Sequence, residues 1–504
     1  MKNITIIGGG ACGTAVFIEL LLQLTTAELI NETKINLIEK EEHLGQGLAF
    51  GTDQPGHLLN TQTDLMGIHA DEPEHFAEWL KRHGGKSRED VKGSGDTGHT
   101  YTTRKLYGDY VSEQAKFYVE KAKENGFQVE IINAEATDIQ RTSASYEVIC
   151  DNGNRIPSDF VILAVGTPKP NNYKELEDYA QYIDFPWPSR RIIDKVDVDD
   201  HVGILGSSLS AIDAIMTLVD NGHKGKISLF SPDGMLPRVQ PEENASYKRR
   251  FLTHSAIHKV KRESLRKLSV KKLFKLFQQE VEDYYHKPID WKGVNRTGKP
   301  AEKYLNWDIS CAEKGGDGIM KIIYSLRYEA GEIWRTLTVE EKQLFKRWLG
   351  SHWMINRHAM PLINAYRLRS LFKENKLRVY SGLKEVDFNE NEKSFSLSLE
   401  DAQNLAVDKL INSTGSSSHV EAMECALLNN LLKKEYLSTY PVGGALINEL
   451  TMQTISSQGG DGIYALGHLV NGMKLDVNAV WFNVRTAATL SQDIITKIRN
   501  GRIF

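Results

Sequence analysis

Cysteine is scarce in this sequence, and its few copies are scattered. The 504 residues include four cysteines, none of them in a Cys-x-x-Cys pair: Cys12, Cys150, Cys311 and Cys425. This spacing argues against a disulfide framework, a zinc site and a redox dithiol. We therefore predict no metal site and no dithiol chemistry.

Two further absences concern charge and long apolar runs. The 62 basic and 66 acidic residues nearly cancel, and a net charge of −4 gives no general attraction to nucleic acid. No uninterrupted apolar run approaches the length of a membrane span, and Gly8 to Gly10 and Glu19 interrupt the apolar N-terminus. We expect a cytoplasmic protein without a membrane span, and the sequence leaves its oligomeric state open.

Length and composition are those of a globular chain with several domains. Hydrophobic residues make up 40% of the sequence and charged residues 25%, which are the proportions of a soluble globular protein. Because 504 residues exceed what one ordinary hydrophobic core accommodates, we expect two or three domains.

The first forty residues have the pattern of a dinucleotide-binding βαβ unit. A β-branched run, Ile4 to Ile7, precedes Gly8-Gly9-Gly10-Ala11-Cys12-Gly13, and Thr14 to Leu24 continue with helical periodicity. A second apolar strand, Ile35 to Ile38, ends in Glu39. The Gly-x-Gly-x-x-Gly spacing stands between a strand and a helix, as nucleotide binding requires. The alternative is a glycine turn without a ligand.

Each glycine of this turn has a physical role when a dinucleotide binds. Gly8 allows the tight turn, Gly10 lets the backbone approach a pyrophosphate, and Gly13 permits close packing of helix and strand. The pyrophosphate would lie on free N–H groups at the helix N-terminus, and Glu39 would accept hydrogen bonds from ribose hydroxyls. Further cofactor contacts are expected from Ala11, Cys12 and Lys40.

Later segments are expected to meet the same cofactor. The irregular loop from Gly45 to Thr52 combines glycines with apolar residues, which favours packing against a flat ligand over an ordinary surface loop. A buried strand from Phe160 leads into Ala164-Val165-Gly166, and a late strand leads into Gly467-His468. The expected cofactor contacts in these segments are Gly47, Asn60, Met66, Ala164, Gly166, Gly467 and His468.

A second βαβ unit begins near His201. Val202 to Leu205 is the strand, residues 206–211 are the turn, and Ile227 to Phe230 form the next strand. Ser208 takes the second glycine position, where it would crowd a pyrophosphate unless its hydroxyl bonds to it. No acid follows the strand, which favours NADPH over NADH, although a Rossmann half without a ligand is the alternative. The expected contacts are Gly206, Ser207, Ser208, Leu209, Ser210 and Ser231.

The rest of the chain completes an α/β fold class with two Rossmann-like dinucleotide-binding domains, β-meanders and a mostly helical insertion. The strand that ends in Thr414-Gly415 repeats the exit seen at Gly166. We expect five segments: 1–184 and 420–504 for the FAD-binding domain, 185–235 and 376–419 for the NAD(P)-binding domain, and 236–375 for the insertion.

The insertion carries a basic run and a predicted covering role. Between Arg238 and Lys275 basic residues are frequent and acids are few. Such a run could attract an anionic substrate or partner, but we prefer a solvated helix face. Because the insertion separates the second βαβ unit from its returning strand, we expect it to cover the cleft between the two cofactors and to exclude water.

Together these motifs resemble the bacterial FAD/NAD(P)-binding proteins that include FAD-dependent urate hydroxylases and nitrosuccinate-forming aspartate N-monooxygenases. The resemblance spans nearly the whole chain and implies a flavoprotein that holds FAD and NADPH or NADH. This chain departs from the family at Ser208, usually glycine, and at His468, usually aspartate. The motifs that carry the resemblance are Gly8 to Gly13, Gly45 to Gly51, His57 to Asn60, Arg104 with Tyr107-Gly108, Pro186-Trp187, and Arg357-His358 with Pro361.

The resemblance implies a monooxygenase that uses FAD, NAD(P)H and molecular oxygen to hydroxylate a nitrogen or carbon of a small polar metabolite. Arg104 and Arg357 would each grip a carboxylate of an anionic substrate, and His358 would move a proton near neutral pH. A surface or packing role is the alternative for each side chain. Two other functions stay open: an FAD-dependent NAD(P)H reductase or dehydrogenase without oxygen insertion, and a non-catalytic flavoprotein sensor or assembly factor.

Overall fold

The computed structural model describes residues 1–501 except 85–88, 93–96, 144, 244–245, 266 and 459–460. The strands in chain order are β1 (Lys2–Ile7), β2 (Thr33–Glu39), β3 (Val91–Lys92), β4 (Tyr101–Thr102), β5 (Gln128–Asn133), β6 (Ala136–Arg141), β7 (Tyr146–Cys150), β8 (Arg155–Ser158), β9 (Phe160–Leu163), β10 (Tyr182–Ile183), β11 (Val202–Leu205), β12 (Ile227–Ser231), β13 (Val239–Gln240), β14 (Met360–Pro361), β15 (Leu377–Ser381), β16 (Leu383–Asn389), β17 (Ser394–Leu399), β18 (Asn404–Val407), β19 (Lys409–Asn412) and β20 (Ile463–Ala465).

The α-helices in chain order are α1 (Ala11–Thr26), α2 (Gly47–Phe50), α3 (His75–Arg82), α4 (Arg104–Glu124), α5 (Arg190–Ile193), α6 (Leu209–Asp220), α7 (His254–Ser264), α8 (Val270–Tyr285), α9 (Trp291–Val294), α10 (Ala301–Ala312), α11 (Gly318–Ser325), α12 (Ala330–Arg335), α13 (Val339–Arg357), α14 (Leu362–Lys373), α15 (Ala426–Lys433) and α16 (Val480–Asn500).

The first sheet has five parallel strands in the order β20–β9–β1–β2–β5. The apolar end of β1, Ile4 to Ile7, is buried throughout, as expected for a strand covered on both faces. The chain leaves β1 at Gly8 and enters α1 at Ala11, so this turn lies at the carboxyl edge of the sheet, where open α/β sheets bind ligands.

The second sheet repeats this arrangement with the order β10–β19–β11–β12–β15, again all parallel. The chain leaves β11 at Gly206 and enters α6 at Leu209. Two antiparallel meanders, β6–β7–β8 and β16–β17–β18, accompany the two sheets. The predicted fold class, with two Rossmann-like sheets, β-meanders and a helical region, is confirmed.

The two ends of the chain share one hydrophobic core. Ile6 from β1, Leu163 from β9 and Leu490 from α16 are buried in the same cluster around the first sheet. α16 also packs beside α1, where Gln23 Nε2 donates to the Ala488 carbonyl oxygen at 3.1 Å. The last helix therefore closes the first sheet rather than forming a separate unit.

The helices between the two halves of the second sheet form two groups. Leu305 of α10 and Leu368 of α14 are buried in the core of the second sheet. Helices α7, α8, α12 and α13 contribute to a further cluster that contains Trp334 and also includes Val442 from the C-terminal segment. None of the described helices is long and apolar enough to cross a membrane.

The basic run of the insertion is not one solvated helix face. Arg238 is 3% exposed and forms ion pairs with Asp308, at 2.9 Å, and with Asp317. The guanidinium of Arg249 pairs with Glu329. Because a buried guanidinium requires carboxylate partners, these two arginines link segments of the insertion to one another instead of facing solvent.

Candidate active site

The first glycine turn is built from two close backbone approaches. Gly8 has a positive φ of 102°, and a Cβ there would lie 2.3 Å from the Ala164 carbonyl oxygen at the exit of β9. A Cβ on Gly13 would lie 1.8 Å from the carbonyl oxygen of Gly8. Both contacts admit only glycine, so the strand exit and the helix start are held against each other.

A gap lined by glycine opens at the N-terminus of α1. Among the described residues no side chain caps this helix, so its first N–H groups lack side-chain acceptors. A Cβ on Gly10 would lie 3.4 Å from Gly47 Cα, which places the two glycines face to face. Ala11 and Cys12 follow directly. This arrangement fits a pyrophosphate, which needs free N–H donors and close backbone approach.

Glu39 lies beside the first turn, as the sequence predicts. Its carboxylate accepts hydrogen bonds from Gly9 N–H at 2.5 Å and from Glu41 N–H at 3.0 Å. A carboxylate held there has oxygen lone pairs left for ribose hydroxyls. The adjacent Lys40 is exposed and pairs with Glu135 at 3.3 Å, at the solvent side of the turn.

Gly467 and His468 reach the same turn from the end of the chain. A Cβ on Gly467 would lie 3.5 Å from Cys12 Sγ. Burial raises the pKa of the Cys12 thiol to about 12, so this thiol is neutral and serves as a small residue packed in the turn. His468 Nε2 donates to the Ser417 carbonyl oxygen at 2.9 Å, and burial lowers the pKa of the ring.

The other predicted contacts of the first cofactor, such as Gly166, Asn60 and Met66, lie in different surroundings. Gly166 has a φ of 72° and open space around its Cα, at the exit from β9 that Ala164 begins. The Asn60 carbonyl oxygen accepts from Gln240 Nε2 at 2.8 Å, which links the loop to β13. Met66 is 3% exposed and packs in the first core. Its described contacts are those of a core residue.

The second glycine turn has the same backbone arrangement as the first. Gly206 has a φ of 108°, and a Cβ there would lie 2.6 Å from the Ser413 carbonyl oxygen at the exit of β19. Ser208 is exposed at the start of α6, and its hydroxyl does not cap that helix. The hydroxyl of Ser208 is therefore available to a phosphate, together with the first N–H groups at Leu209 and Ser210.

A small hydroxyl network occupies the position that Glu39 has in the first turn. Ser207 Oγ donates to the Met235 carbonyl oxygen at 2.6 Å and lies 2.9 Å from Ser231 Oγ. Ser231 Oγ accepts from Gly234 N–H at 3.0 Å. No carboxylate is part of this network, which agrees with the expectation that a 2′-phosphate is tolerated here.

Arg104 lies at the contact between the two sheets. Its guanidinium is 2.7 Å from an Asp213 carboxylate oxygen on α6, and its Nε donates to the Leu58 carbonyl oxygen at 3.3 Å. It also lies over the ring of Trp187, 5.6 Å from the ring centroid. These contacts tie the first domain to α6. A grip on a substrate carboxylate would have to compete with Asp213, and it stays a prediction.

Arg357 is buried at the C-terminal end of α13 and is paired with Asp476. The guanidinium and carboxylate are 3.1 Å apart, and their side chains are 8% and 7% exposed. Within the described part of the chain, the buried Nε–H of Arg357 has no acceptor. A buried N–H without an acceptor is costly, so a bound polar group at this position would be stabilised.

His358 does not titrate near neutral pH, and that expectation is wrong. Burial, followed by the positive charge of Arg357, lowers the pKa of its imidazole to about 4. The ring is therefore neutral at pH 7. It is able to donate or accept one hydrogen bond at each nitrogen but not to supply charge.

Two charged residues near the site carry no signal in the sequence. Asp476, the partner of Arg357, lies 119 positions away in an irregular segment. Lys346 on α13 donates to the Val442 carbonyl oxygen at 2.7 Å, its charge acts on His468, and burial lowers its pKa. Contacts over such sequence separations follow no local spacing, so only the packing of α13 on the C-terminal segment reveals them.

These turns, sheets and returning strands form two Rossmann-like sheets, each with a glycine turn at its carboxyl edge. Comparison with known proteins identifies the domain that contains the first turn. Residues 5–168 match the family model described as FAD-NAD(P)-binding. This region is therefore an FAD-NAD(P)-binding domain, which confirms the cofactor prediction. The match covers the first glycine turn, Glu39 and the exit at Gly166.

The uncharacterized protein YdhS of Escherichia coli strain K12 is 27% identical over 266 residues, which are 47% of this chain and 47% of that protein. The chain thus spans less than half the length of the curated relatives it matches.

Two solved structures share the fold over nearly the whole chain. L-lysine 6-monooxygenase of Pseudomonas syringae is 14% identical, with 99% of each chain covered and a TM-score of 0.59. The ornithine N-hydroxylase of Kutzneria sp. 744, solved with reduced FAD, NADP+ and L-ornithine, is 13% identical, with 99% of this chain and 100% of that chain covered and a TM-score of 0.54.

Proposed function

We propose that this protein is an FAD-dependent monooxygenase that uses NAD(P)H and molecular oxygen to hydroxylate a nitrogen or carbon of a small molecule. One observation carries the proposal: two glycine turns of the same backbone geometry stand at the carboxyl edges of two parallel sheets joined by Arg104 and Asp213. The shared fold with two N-hydroxylating monooxygenases supports this assignment.

The first turn would hold FAD. Gly10 and Gly47 would face the pyrophosphate, the first N–H groups of α1 would bind its oxygens, and Glu39 would accept from ribose hydroxyls. When bound, FAD supplies the redox chemistry, since it accepts electrons from NADPH and passes them to oxygen. The neutral His468 and Cys12 would add no charge beside the phosphates.

The second turn would hold the nicotinamide nucleotide. The Ser208 hydroxyl and the N–H groups of Leu209 and Ser210 would bind phosphate at the start of α6. Ser231 stands where a carboxylate would reject a 2′-phosphate, which supports NADPH over NADH as the reductant. The choice between the two nucleotides remains part of the proposal.

The protein's own contribution to oxygen chemistry would be to bind the substrate and exclude water. Helix α13 packs against the C-terminal segment through Lys346 and through Arg357 with Asp476, and it would cover this side of the site. The Nε–H of Arg357 would donate to an acceptor on the substrate. His358, neutral at pH 7, would hold a proton on one nitrogen rather than exchange it with solvent.

The test is a measurement of oxygen incorporation by the purified protein. We expect bound FAD, reduction by NADPH, and transfer of one ¹⁸O atom from ¹⁸O₂ into a product during a metabolite screen. NADPH oxidation with a quinone acceptor and no ¹⁸O in any product would identify a reductase. Bound FAD that neither nucleotide reduces would identify a non-catalytic flavoprotein.

A further inference from the structure

A large cavity lies in the helical insertion, and Asp233 in its lining stands two residues after Ser231 of the second turn. It has a volume of about 1130 Å³ and is lined by α8 and α10 to α13 with the segment from Lys287 to Thr297. Ligand pockets usually measure about 300–1,000 Å³, and a cavity of about 150 Å³ already holds benzene. The space is therefore far larger than an amino acid such as lysine requires.

The walls of this cavity are aromatic and apolar. Phe274 contacts Trp348 and Trp291, with ring centroids 5.0 and 5.4 Å apart. Phe345 contacts Trp334 and Trp353 at 5.6 and 5.9 Å. Apolar side chains that line a space open to solvent lack the packing contacts of a closed core. Occupation by an apolar molecule would recover those contacts.

Positive charge surrounds the opening of the cavity. The lining includes four exposed cations that form no ion pair within the described residues: Lys287, Lys292, Lys303 and Arg347. Of the acidic lining residues, Asp317 is neutralised by Arg238, Asp290 accepts from Lys292 N–H as a helix cap, and Asp233 is the third. Cations therefore outnumber the remaining acids, which favours an anionic group.

A buried hydrogen-bond donor in the cavity wall also favours an anionic ligand. Trp291 Nε1–H lines the cavity and is buried without an acceptor among the described residues. An indole N–H that is removed from water usually has an acceptor, because leaving it unpaired is costly. A carboxylate or sulfonate oxygen beside Trp291 and Lys292 would satisfy it.

The other end of the cavity adjoins the candidate active site. Trp353, Asn356 and Leu475 line it. Asn356 precedes Arg357 and Leu475 precedes Asp476, and this arginine and aspartate form the buried ion pair described above. A molecule anchored at the opening would thus extend toward the group we propose to contact the substrate.

We propose that this cavity is the substrate chamber and that the substrate is a bulky, mostly aromatic or aliphatic molecule with one anionic group. The anionic group lies beside the exposed cations Lys292 and Arg347, and the apolar body extends toward Arg357, whose Nε–H contacts a hydrogen-bond acceptor at the far end of the molecule. This inference rests on the proposed monooxygenase function, and it replaces the small polar metabolite expected from the sequence.

The experiment measures binding to the purified holoprotein by tryptophan fluorescence, with laurate as probe, dodecanol as its uncharged counterpart and L-lysine as the small polar alternative. We expect laurate to change the emission and to bind at least about tenfold more tightly than L-lysine. A double variant, Lys292→Glu with Arg347→Glu, should weaken laurate binding about fivefold or more and leave dodecanol unchanged. Lys271→Glu, at an exposed lysine of α8 outside the cavity, is the matched control.

A second variant tests the chamber rather than its charge. Ala330→Trp places a large ring in the cavity, so it should weaken both laurate and dodecanol while the far-ultraviolet circular dichroism stays unchanged. Equal binding of laurate by the wild type and both cavity variants would overturn the inference. So would tighter binding of L-lysine, or displacement of laurate by NADP+, which would assign the cations to the cofactor.

The experiments distinguish a failure of the substrate chamber from a failure of the proposed monooxygenase function. Laurate binding is read without turnover, so a protein that binds laurate but does not reduce its flavin with NADPH would contradict the monooxygenase function alone. A protein that hydroxylates a small polar metabolite and ignores laurate would contradict the chamber alone.

Discussion

The two glycine turns share a backbone and differ in side chains. In each turn a glycine with positive φ lies against a carbonyl oxygen of the neighbouring strand exit, Gly8 against Ala164 and Gly206 against Ser413. Each turn also closes on the next strand, since Gly8 N–H donates to Ile38 O at 2.8 Å and Gly206 N–H donates to Phe230 O at 2.7 Å. The scaffold for a dinucleotide is therefore present twice.

The chemistry of the two turns diverges at two positions. Gly10 of the first turn corresponds to Ser208 of the second, and Glu39 corresponds to Ser231. The first turn offers a bare backbone and a carboxylate, which suits a pyrophosphate with a free ribose. The second offers hydroxyls and no carboxylate, which suits a phosphorylated ribose. We therefore expect both turns to bind a nucleotide and the side chains at these two positions to set which nucleotide each accepts.

The largest expected effect comes from replacing Gly10, at the first of the two positions where the turns differ. Gly10→Val would place a branched side chain against Gly47 and in the space of the pyrophosphate, so we expect FAD affinity to fall by about 3 kcal/mol or more. Bound flavin is measured by absorbance after gel filtration. Ser208→Val is the matched variant, and it should keep FAD but lose reduction by NADPH. A folded Gly10→Val protein with normal FAD content would contradict the assignment.

The next effect concerns Arg357 at the end of α13, where we expect the substrate to bind. Arg357→Ala removes a buried donor that we expect to contact the substrate, which should lower kcat/KM by about 1.5–3 kcal/mol, roughly ten- to a hundredfold. FAD content and the rate of flavin reduction should stay normal, because Arg357 is part of neither turn. Steady-state kinetics with Arg357→Lys as control measure the effect. A parallel loss of FAD would show a structural role instead.

A smaller effect is expected at Ser231, the second position where the two turns differ. Ser231→Glu gives the second turn the carboxylate of the first, so it should repel a 2′-phosphate and accept from a free ribose. We expect the ratio of flavin reduction rates, NADPH over NADH, to fall about tenfold or more in stopped-flow experiments. Wild-type protein that already prefers NADH would contradict the nucleotide assignment.

The smallest effect is a pH dependence of stability. Because the pKa of His358 is lowered to about 4, the unfolded chain binds its proton at a higher pH than the folded protein does. Its contribution to stability is therefore complete above about pH 6.5 and is lost as pH falls toward 4, with about 1 kcal/mol already lost near pH 5.5. Urea unfolding should show a flatter acid limb for His358→Gln. Identical profiles would show that folding does not lower the pKa of His358.

Local chemistry made the fold and the first cofactor site predictable. The spacing of Gly8, Gly10 and Gly13 between an apolar strand and a helix predicts the turn, and Glu39 lies beside it as expected. The corresponding features of the second turn, Gly206 and the missing acid at Ser231, were equally visible. Each of these depends on residues a few positions apart or on the ends of adjacent strands.

The sequence predicted less well the pKa values and contacts that depend on burial and on partners far away along the chain. His358 was expected to titrate near pH 7, but its surroundings in the folded protein lower its pKa to about 4. Arg238 was assigned to a solvated face, although it is buried with Asp308 and Asp317. Neither partner lies within 69 positions of Arg238 along the chain. No local pattern encodes such a contact.

The sequence by itself determined the two glycine turns, because steric limits on φ and on Cβ act between neighbouring residues and leave glycine as the residue that fits. Only the tertiary structure decided the pairing of Arg357 with Asp476, the bridge from Arg104 to Asp213, and the aromatic chamber of the insertion. Those features depend on how separate helices pack, and a cavity is a property of the space between elements rather than of any one segment.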